Sequence, residues 1–295
     1  MPLRTYTVAG RRLVVRRTGT PGGPPVLLLH GLGSDHRGLA DLAAAWPHAD
    51  VYSPDLPGFG HSAPMPAPHS LTNYSVVLDV LRERLGLEAF TVVGHSLGAD
   101  IALAYAGRHP ERVRTLALLH PVTAGTGPTA WLGRAYYRVG ALLPPTAAHV
   151  WLLSRTAIWA VDGLMVESRD PAVRRRIREL DYLTAELASP RAISEAYLSL
   201  ARTPFSALAG RVGAPTLVVT GDRDQLARPA AVAELTRRFP RARLVVVPGA
   251  GHLWPAEAPR AAADLVAQVL TSGWRPVLDQ PADTMYTTRP FPPED

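Results

Sequence analysis

Short, fully apolar runs bounded by glycine or proline recur along the chain, and helical patterns lie between them. The runs occupy residues 26–29, 51–53, 91–93, 115–119, 216–220 and 244–247. Runs of this length and composition are typical of central strands that helices cover on both faces. The helical patterns occupy residues 39–45, 73–85, 97–108, 230–239 and 256–270. Because strands and helices alternate, the sequence predicts an α/β fold with a mostly parallel central sheet and helices on both faces.

Two further strands are predicted near the N-terminus, which brings the expected sheet to about eight strands. Residues 5–8 and 12–16 alternate in polarity or are β-branched, and the dipeptide Ala9-Gly10 separates them. This pattern indicates a β-hairpin, which we place at the edge of the sheet.

The alternation of strands and helices stops between residues 121 and 209. This stretch has no convincing strand pattern, and its helix-like segments contain many tryptophan, tyrosine and leucine residues. We interpret it as a helical insertion that forms a cap over the strand ends, on an α/β core made of residues 1–120 and 210–272. Residues 273–295 are rich in proline and predict an extended or disordered tail.

Charge and cysteine content argue against several classes of function. The formal net charge is +6, but the 31 lysine and arginine residues are scattered, apart from a cluster at residues 174–178 with acidic neighbours. Such a cluster is typical of a solvated helix face, and we expect no nucleic-acid partner. The chain has no cysteine, which excludes disulfides, thiolate metal sites and a cysteine nucleophile.

Membrane and export signals are also missing from the sequence pattern. No apolar run approaches the ~18 residues of a membrane-spanning helix, and the first residues lack the apolar segment of a signal peptide. We therefore predict a soluble cytoplasmic protein that acts on a small-molecule substrate. The sequence leaves its oligomeric state open.

The pentapeptide Gly94-His95-Ser96-Leu97-Gly98 lies between the apolar run 91–93 and the helical pattern 97–108. Strand, tight turn and helix in this order form a nucleophile elbow, which exposes a serine hydroxyl at the carboxyl end of a sheet. The turn needs small residues two before and two after the serine, and Gly94 and Gly98 meet this requirement. We therefore predict that Ser96 is a nucleophile, while His95 packs or hydrogen-bonds within the turn.

A nucleophilic serine needs a base and an acid, and both have candidates after later strands. Asp222 and Asp224 follow the run 216–220, and His252 follows the run 244–247 on a glycine-rich loop. Functional residues of open parallel sheets collect at such strand ends. His252 would take the Ser96 proton while one of the two carboxylates orients the imidazole. The chain order of serine, carboxylate and histidine is the order expected for this kind of fold.

Two backbone N–H groups are candidates for an oxyanion hole, which stabilises the charge that develops on a substrate carbonyl oxygen. Leu97 offers one of them at the start of the helix that follows Ser96. Leu32 offers the other, within His30-Gly31-Leu32-Gly33 after the run 26–29. We interpret His30 as a structural residue that holds this loop.

These motifs resemble those of the α/β-hydrolase superfamily, specifically its capped esterase, C–C hydrolase and haloperoxidase-like branch. The resemblance covers residues 5–271 and includes residues 55–62 and 257–259. It implies that Asp224, three residues after Gly221, is the catalytic acid in preference to Asp222. Because Ser96 occupies the nucleophile position, the resemblance disfavours members with an aspartate nucleophile, namely the haloalkane dehalogenases and most epoxide hydrolases.

A substrate pocket is predicted from apolar residues of the insertion and from those that adjoin the histidine. The candidates are Trp131, Trp151, Trp159, Leu253 and Trp254. Burial against the sheet is the competing interpretation for aromatic residues at helical spacing. The glycine-rich loops lack nucleotide fingerprints, and we expect no metal and no organic cofactor. The histidines without metal-ligand spacing are His61, His69, His109, His120 and His149.

The function that these features predict is hydrolysis of a carboxylic ester of a small apolar substrate through an acyl-enzyme on Ser96. A thioester, a lactone or an activated C–C bond is an alternative target of the same chemistry. Two other hypotheses stay open: a non-hydrolytic acyltransferase or cyclase of natural products, and a ligand-binding, receptor-like protein on the same fold.

Overall fold

The computed structural model of the protein describes residues 3–122 and 128–271. In this part of the chain, eight strands form one sheet in the spatial order β1-β2-β4-β3-β5-β6-β7-β8. The strands are Leu3–Val8 (β1), Arg11–Gly19 (β2), Pro25–Leu29 (β3), Asp50–Pro54 (β4), Phe90–His95 (β5), Val113–Leu119 (β6), Thr216–Gly221 (β7) and Ala242–Val247 (β8). From β4 across to β8 all neighbours are parallel. The predicted sheet is confirmed.

The N-terminal hairpin lies at the edge of the sheet, as the sequence predicts. Strand β1 pairs antiparallel with β2, and β2 pairs antiparallel with β4. Ala9 and Gly10 form the turn with φ values of 47° and 71°. Positive φ at both central residues is typical of the tight hairpin turns whose twist matches that of the strands.

Helices cover both faces of the sheet. Leu71–Leu85 (α2) and Leu97–Arg108 (α3) bury Tyr74 and Tyr105 in the core on one face. Ala40–Ala44 (α1) and Pro259–Thr271 (α12) contribute to the core on the other face. The remaining core helices are Pro229–Thr236 (α10) and Trp254–Glu257 (α11).

The predicted single helix over residues 256–270 is wrong in its continuity, because α11 ends before Ala258 and α12 begins at Pro259. Ala258 has φ −132° and ψ 64°, which is outside the helical region. Proline disfavours a helical conformation in the residue before it and has no N–H to donate. Pro259 therefore starts a new helix instead of continuing the old one.

Between β6 and β7, where the sequence predicts a helical insertion, the described residues from 128 onward form six helices. They are Pro128–Leu142 (α4), Pro145–Leu153 (α5), Arg155–Met165 (α6), Pro171–Ala185 (α7), Pro190–Leu200 (α8) and Phe205–Ala209 (α9). Side chains of Ser154, Asp170 and Ser189 cap α6, α7 and α8 by accepting backbone N–H bonds. The division into core and cap stays a prediction, and the predicted tail at residues 273–295 lies outside the described residues. None of the helices in residues 3–122 and 128–271 has both the length and the apolar character needed to cross a bilayer.

Candidate active site

The turn that carries Ser96 joins β5 directly to α3. Ser96 has φ 54° and ψ −124°, a strained conformation for a residue with a side chain. A β-carbon on Gly94 would clash with the carbonyl oxygen of Gly98, and a β-carbon on Gly98 would clash with that of Leu29. Gly94 therefore allows β5 and α3 to approach closely, and Gly98 allows α3 to approach the end of β3. The Ser96 side chain stays partly exposed at the carboxyl end of the sheet.

The structure brings three of the predicted site residues into one hydrogen-bonded chain. The Oγ atom of Ser96 lies 2.8 Å from Nε2 of His252. The Nδ1 atom of the same imidazole lies 2.9 Å from Oδ2 of Asp224. Asp222 is exposed and instead accepts a hydrogen bond from the Gly249 N–H at 2.7 Å. Of the two candidate carboxylates, only Asp224 therefore contacts the histidine.

The carboxylate of Asp224 is buried and accepts four hydrogen bonds. Its Oδ1 accepts the N–H groups of Leu226 and Ala227, both at 2.8 Å. Its Oδ2 lies 2.7 Å from Nδ1 of His120 and 2.9 Å from Nδ1 of His252. Burial is the largest single influence and favours the neutral acid, but the two histidines together outweigh it and hold the pKa of Asp224 well below its usual range. The group is therefore an anion within the protein.

His95, the last residue of β5, supports the loop that carries the histidine. Its Nε2 lies 2.9 Å from the backbone carbonyl oxygen of His252, and since a carbonyl only accepts, Nε2 carries the proton. Burial, followed by the nearby His252 and His120, lowers the pKa of His95 to about 3. His95 is thus a neutral donor that holds the His252 backbone, in line with the structural interpretation of its sequence position.

His120 is a member of the site that sequence reasoning missed. It directly follows β6, and its side chain is buried against Asp224. The available signal was a single polar residue at the end of the apolar run 115–119. Using that signal requires the knowledge that β6 lies between β5 and β7, next to the strands that carry Ser96 and Asp224.

The candidate oxyanion donors lie on the two sides of the elbow. Leu97 is the first residue of α3, so its N–H is one of the four that have no acceptor within the helix. On the other side, a β-carbon on Gly31 would lie 3.4 Å from the β-carbon of Ser96. The loop with Gly31 and Leu32 therefore lies against the nucleophile candidate, although the role of its N–H stays a prediction.

His30 holds this loop by two hydrogen bonds. Its Nδ1 donates to the carbonyl oxygen of Gly31 at 2.8 Å, and its Nε2 accepts the N–H of Leu56 at 2.9 Å. Burial lowers the pKa of His30, which keeps the ring neutral and preserves both bonds. The side chain therefore connects the loop after β3 to the loop after β4.

Two of the five predicted pocket residues adjoin the proposed base. Leu253 is half-buried directly after His252, and the ring of Trp254 is buried with its centroid 6.2 Å from that of His120. Trp254 belongs to the core cluster on the α1 and α12 face. Its ring therefore packs behind the hydrogen-bonded chain.

The other three predicted pocket residues lie on the helices between β6 and β7. Their exposed fractions are 69% for Trp131, 42% for Trp151 and 58% for Trp159. Trp151 donates its indole N–H to the carbonyl oxygen of Tyr136 at 3.1 Å. The competing interpretation of burial against the sheet does not hold for these residues, and their assignment to the pocket stays a prediction.

Two groups of buried side chains present donor atoms of the types that metals bind. They are the groups His120, Asp224, His252 and Asp35, His36, Asp55, each with donor atoms within 4.8 Å of one another. In the first group both histidines face Oδ2 of Asp224, and in the second Asp55 contacts His36 while Asp35 pairs with Arg37. The histidine nitrogens of the first group lie at hydrogen-bond distance from Oδ2 of Asp224, and the donor atoms of the second are paired within the group or with Arg37, so we assign both groups as hydrogen-bond networks.

Comparison with known proteins places this geometry in a family. Residues 24–259 match the family described as alpha/beta hydrolase fold. The chain is 27% identical over 272 residues to Lipase 1 of Psychrobacter immobilis, covering 90% of this chain and 82% of that protein. It is 28% identical over 254 residues to the pimeloyl-[acyl-carrier protein] methyl ester esterase of Neisseria meningitidis serogroup B, covering 82% and 91%.

A solved structure gives the same result. A thermophilic esterase from Thermogutta terrifontis superposes with a TM-score of 0.77 at 26% identity, covering 92% of this chain and 99% of that chain. The protein belongs to the alpha/beta hydrolase fold family, which confirms the resemblance that its motifs predict. Together with the lipase and esterase relatives, membership identifies an enzyme of the carboxylic ester hydrolase class.

Proposed function

We propose that the protein cleaves a carboxylic ester of a small apolar acid, with Ser96 as nucleophile, His252 as base and Asp224 as the acid that orients it. The observation that carries the proposal is the unbroken chain from Ser96 Oγ to His252 Nε2 at 2.8 Å and from His252 Nδ1 to Asp224 Oδ2 at 2.9 Å. Contacts of this length are those that proton transfer from a serine hydroxyl requires.

The reaction has two halves. His252 Nε2 takes the proton of Ser96 while Oγ attacks the ester carbonyl carbon, and the N–H groups of Leu32 and Leu97 stabilise the resulting oxyanion. The tetrahedral intermediate then expels the alcohol, which takes the proton from the imidazolium. In the second half a water molecule loses a proton to His252 and attacks the acyl-enzyme, which releases the acid and restores the Ser96 hydroxyl.

The substrate class follows from the helical insertion, which we propose acts as a cap over the carboxyl ends of the strands. Apolar side chains of a cap, here Trp131, Trp151 and Trp159, provide a surface for an acyl chain, with Leu253 nearer to the base. The pimeloyl-[acyl-carrier protein] methyl ester named for one relative supports a medium acyl chain and a small alcohol.

Hydrolysis of p-nitrophenyl esters of graded acyl length tests the proposal. We expect turnover by the wild type, stoichiometric labelling by a fluorophosphonate, and loss of both in Ser96→Ala and in His252→Ala. Ser206→Ala is the matched control, because Ser206 is exposed on α9 and should change neither result. Labelling of Ser96 without sustained turnover in water would instead favour the acyltransferase, cyclase or receptor hypotheses. Turnover that survives Ser96→Ala would contradict the proposed mechanism.

A further inference from the structure

His120 occupies a strained position directly after β6. Its φ of 53° lies in the left-handed region, which disfavours residues with a β-carbon but tolerates histidine, asparagine and aspartate better than most. Its backbone N–H donates to the carbonyl oxygen of Val219 in β7 at 2.7 Å. The sheet therefore fixes the backbone at this point, and the ring lies against the loop that follows β7.

The rings of His120 and His252, the proposed catalytic base, contact the same carboxylate oxygen. Nδ1 of His120 lies 2.7 Å from Oδ2 of Asp224, and Nδ1 of His252 lies 2.9 Å from the same atom. An ionised carboxylate oxygen only accepts hydrogen bonds, so each Nδ1 carries a proton. A neutral imidazole with its proton on Nδ1 has a bare Nε2. In His252 this bare nitrogen is the atom that faces the Ser96 hydroxyl.

The Nε2 atom of His120 indicates that the ring does more than fill a cavity in the core. This atom is buried and has no hydrogen-bond partner among the described residues. An apolar side chain would fill the same volume without leaving a polar atom unsatisfied. We therefore infer that the hydrogen bond from Nδ1 to Asp224 offsets the energetic cost of the unpartnered Nε2 and of the strained backbone.

We propose that His120 is a positioning residue of the active site, which fixes Oδ2 of Asp224 in the orientation that holds His252 ready to accept the Ser96 proton. The inference rests on the proposed function of Ser96, Asp224 and His252. It adds a second histidine donor to the carboxylate oxygen that His252 contacts.

The titratable groups that face His120 come from two loops and the end of one strand. Asp224 lies on the loop after β7, His252 on the loop after β8, and His95 at the end of β5 with its ring centroid 6.0 Å away. Asp100 in α3 accepts the N–H of Val122, two residues after His120. Burial, the largest influence, lowers the pKa of His120, so the ring stays neutral and acts as a donor.

Three substitutions separate the hydrogen bond from the shape and the backbone strain. In His120→Asn the side-chain amide can donate from the place of Nδ1, and asparagine tolerates a left-handed φ. His120→Leu removes the donor and keeps bulk, while His120→Gly removes the donor and relieves the strain. His120→Gly therefore tests the same bond if His120→Leu fails to fold, which thermal unfolding of each variant will show.

The expected result is a fall in kcat of about tenfold to a hundredfold in His120→Leu and His120→Gly, as for the loss of a hydrogen bond to a charged group. KM should change by less than about twofold, because the His120 ring is buried and its hydrogen bond goes to Asp224. The acid limb of the kcat/KM profile should move to higher pH, since Asp224 with fewer donors is more basic and the pair with His252 takes up a proton sooner. His120→Asn should restore most of kcat and the wild-type acid limb.

Wild-type kcat and an unmoved acid limb in His120→Leu or His120→Gly would overturn the proposal. A loss in His120→Asn as large as that in His120→Leu would also overturn it, because the donor would then not be what matters. Ser96→Ala, assayed in parallel, identifies which idea has failed. If Ser96→Ala keeps turnover, the proposed function is wrong; if it is inactive while the His120 variants behave as wild type, only the positioning role is wrong.

Discussion

The carboxyl edge of the sheet and the helices between β6 and β7 differ in how their side chains are held. At the sheet edge, Asp224 and His252 are buried, and each contacts a specific partner at hydrogen-bond distance. On helices α4 and α6, large apolar side chains such as Leu142 and Leu164 are 86% and 73% exposed. Apolar exposure of this kind marks a surface that contacts something other than the core of the protein.

We expect this difference to separate the chemistry of the proposed reaction from its selectivity. The proposed reacting groups follow strands of one sheet, so their geometry depends on the sheet. On the helices between β6 and β7, large apolar side chains such as Leu142 and Leu164 are exposed, whereas others such as Leu152 and Ile193 are buried in the core. We therefore expect substitutions at the sheet edge to change kcat strongly, and substitutions on the insertion to change which ester is preferred.

The largest effect is expected at Asp224. We predict that Asp224→Ala lowers kcat on the order of 10⁴-fold, because the imidazole of His252 loses the group that sets its tautomer. Asp222→Ala is the control on the same loop, since Asp222 is exposed and only accepts the Gly249 N–H. It should change kcat less than about threefold. Steady-state kinetics on one ester measures both, and equal losses would refute the assignment of Asp224.

Acid should lower the free energy of unfolding of the protein through the buried His95. Burial lowers its pKa from 6.5 to about 3, so between these pH values the unfolded chain binds a proton that the folded chain does not. The free energy of unfolding therefore falls with decreasing pH, with about 1.4 kcal/mol per pH unit coming from this residue.

Urea unfolding from pH 7 to pH 4 measures this contribution of His95. His95→Gln keeps a donor for the His252 carbonyl oxygen but cannot titrate. Its free energy of unfolding should therefore fall less steeply with decreasing pH, by about 1.4 kcal/mol per pH unit. The same slope in the wild type and in His95→Gln would show that His95 does not carry the acid sensitivity.

Substitutions on the helical insertion should change the ester preference without changing the rate at which the nucleophile is labelled. We predict that Trp159→Ala lowers the preference for an octanoyl over an acetyl ester about tenfold, the scale of lost apolar pocket contacts. Its rate of labelling by a small fluorophosphonate should match that of the wild type. Val76→Ala on α2 is the control, because Val76 is also exposed but lies outside the insertion. If replacements of Trp131, Trp151 and Trp159 all leave the preference unchanged, the predicted pocket is wrong.

The smallest effect is expected from a pair of acids that joins α6 to α7. Burial and the neighbouring Asp162 raise the pKa of Asp181 above its usual range. The folded protein therefore keeps a proton that the unfolded chain loses above about pH 4, and stability falls as pH rises. The loss should be modest because Arg178 lies 3.7 Å from the Asp162 carboxylate. Asp181→Asn should flatten the fall in Tm between pH 5 and pH 9, and an unchanged fall would exclude this pair as its source.

Local sequence patterns predict the parts of the fold that depend on neighbouring residues. The strand, turn and helix around Ser96 could be predicted because Gly94, Gly98 and the apolar run 91–93 are contiguous. The break at Ala258 was missed even though Pro259 is visible in the sequence, because the apolar pattern continues across it. A proline that starts a new helix and a proline inside a longer pattern look alike without the backbone angles.

The contribution of His120 could not be predicted from local patterns, since it depends on the spatial order of the strands. Strand β6 lies between β5 and β7, which brings a histidine from one strand end to a carboxylate from the next. The exposure of Trp131 and Trp159 likewise could not be predicted, because helical spacing alone does not show which face of a helix packs against the rest of the protein. The candidate site residues that belong to recognisable motifs after strands were therefore predicted. His120, an isolated residue after a strand, was missed.

The most direct test of the central claim is to trap the acyl-enzyme. Wild-type protein is mixed with excess p-nitrophenyl butyrate, quenched in acid within the turnover time and digested for peptide mass spectrometry. The account predicts one butyryl group per chain, attached to Ser96, and no such adduct in Ser96→Ala. Release of p-nitrophenol by the wild type without any acylated Ser96, or with the acyl group on another residue, would contradict it.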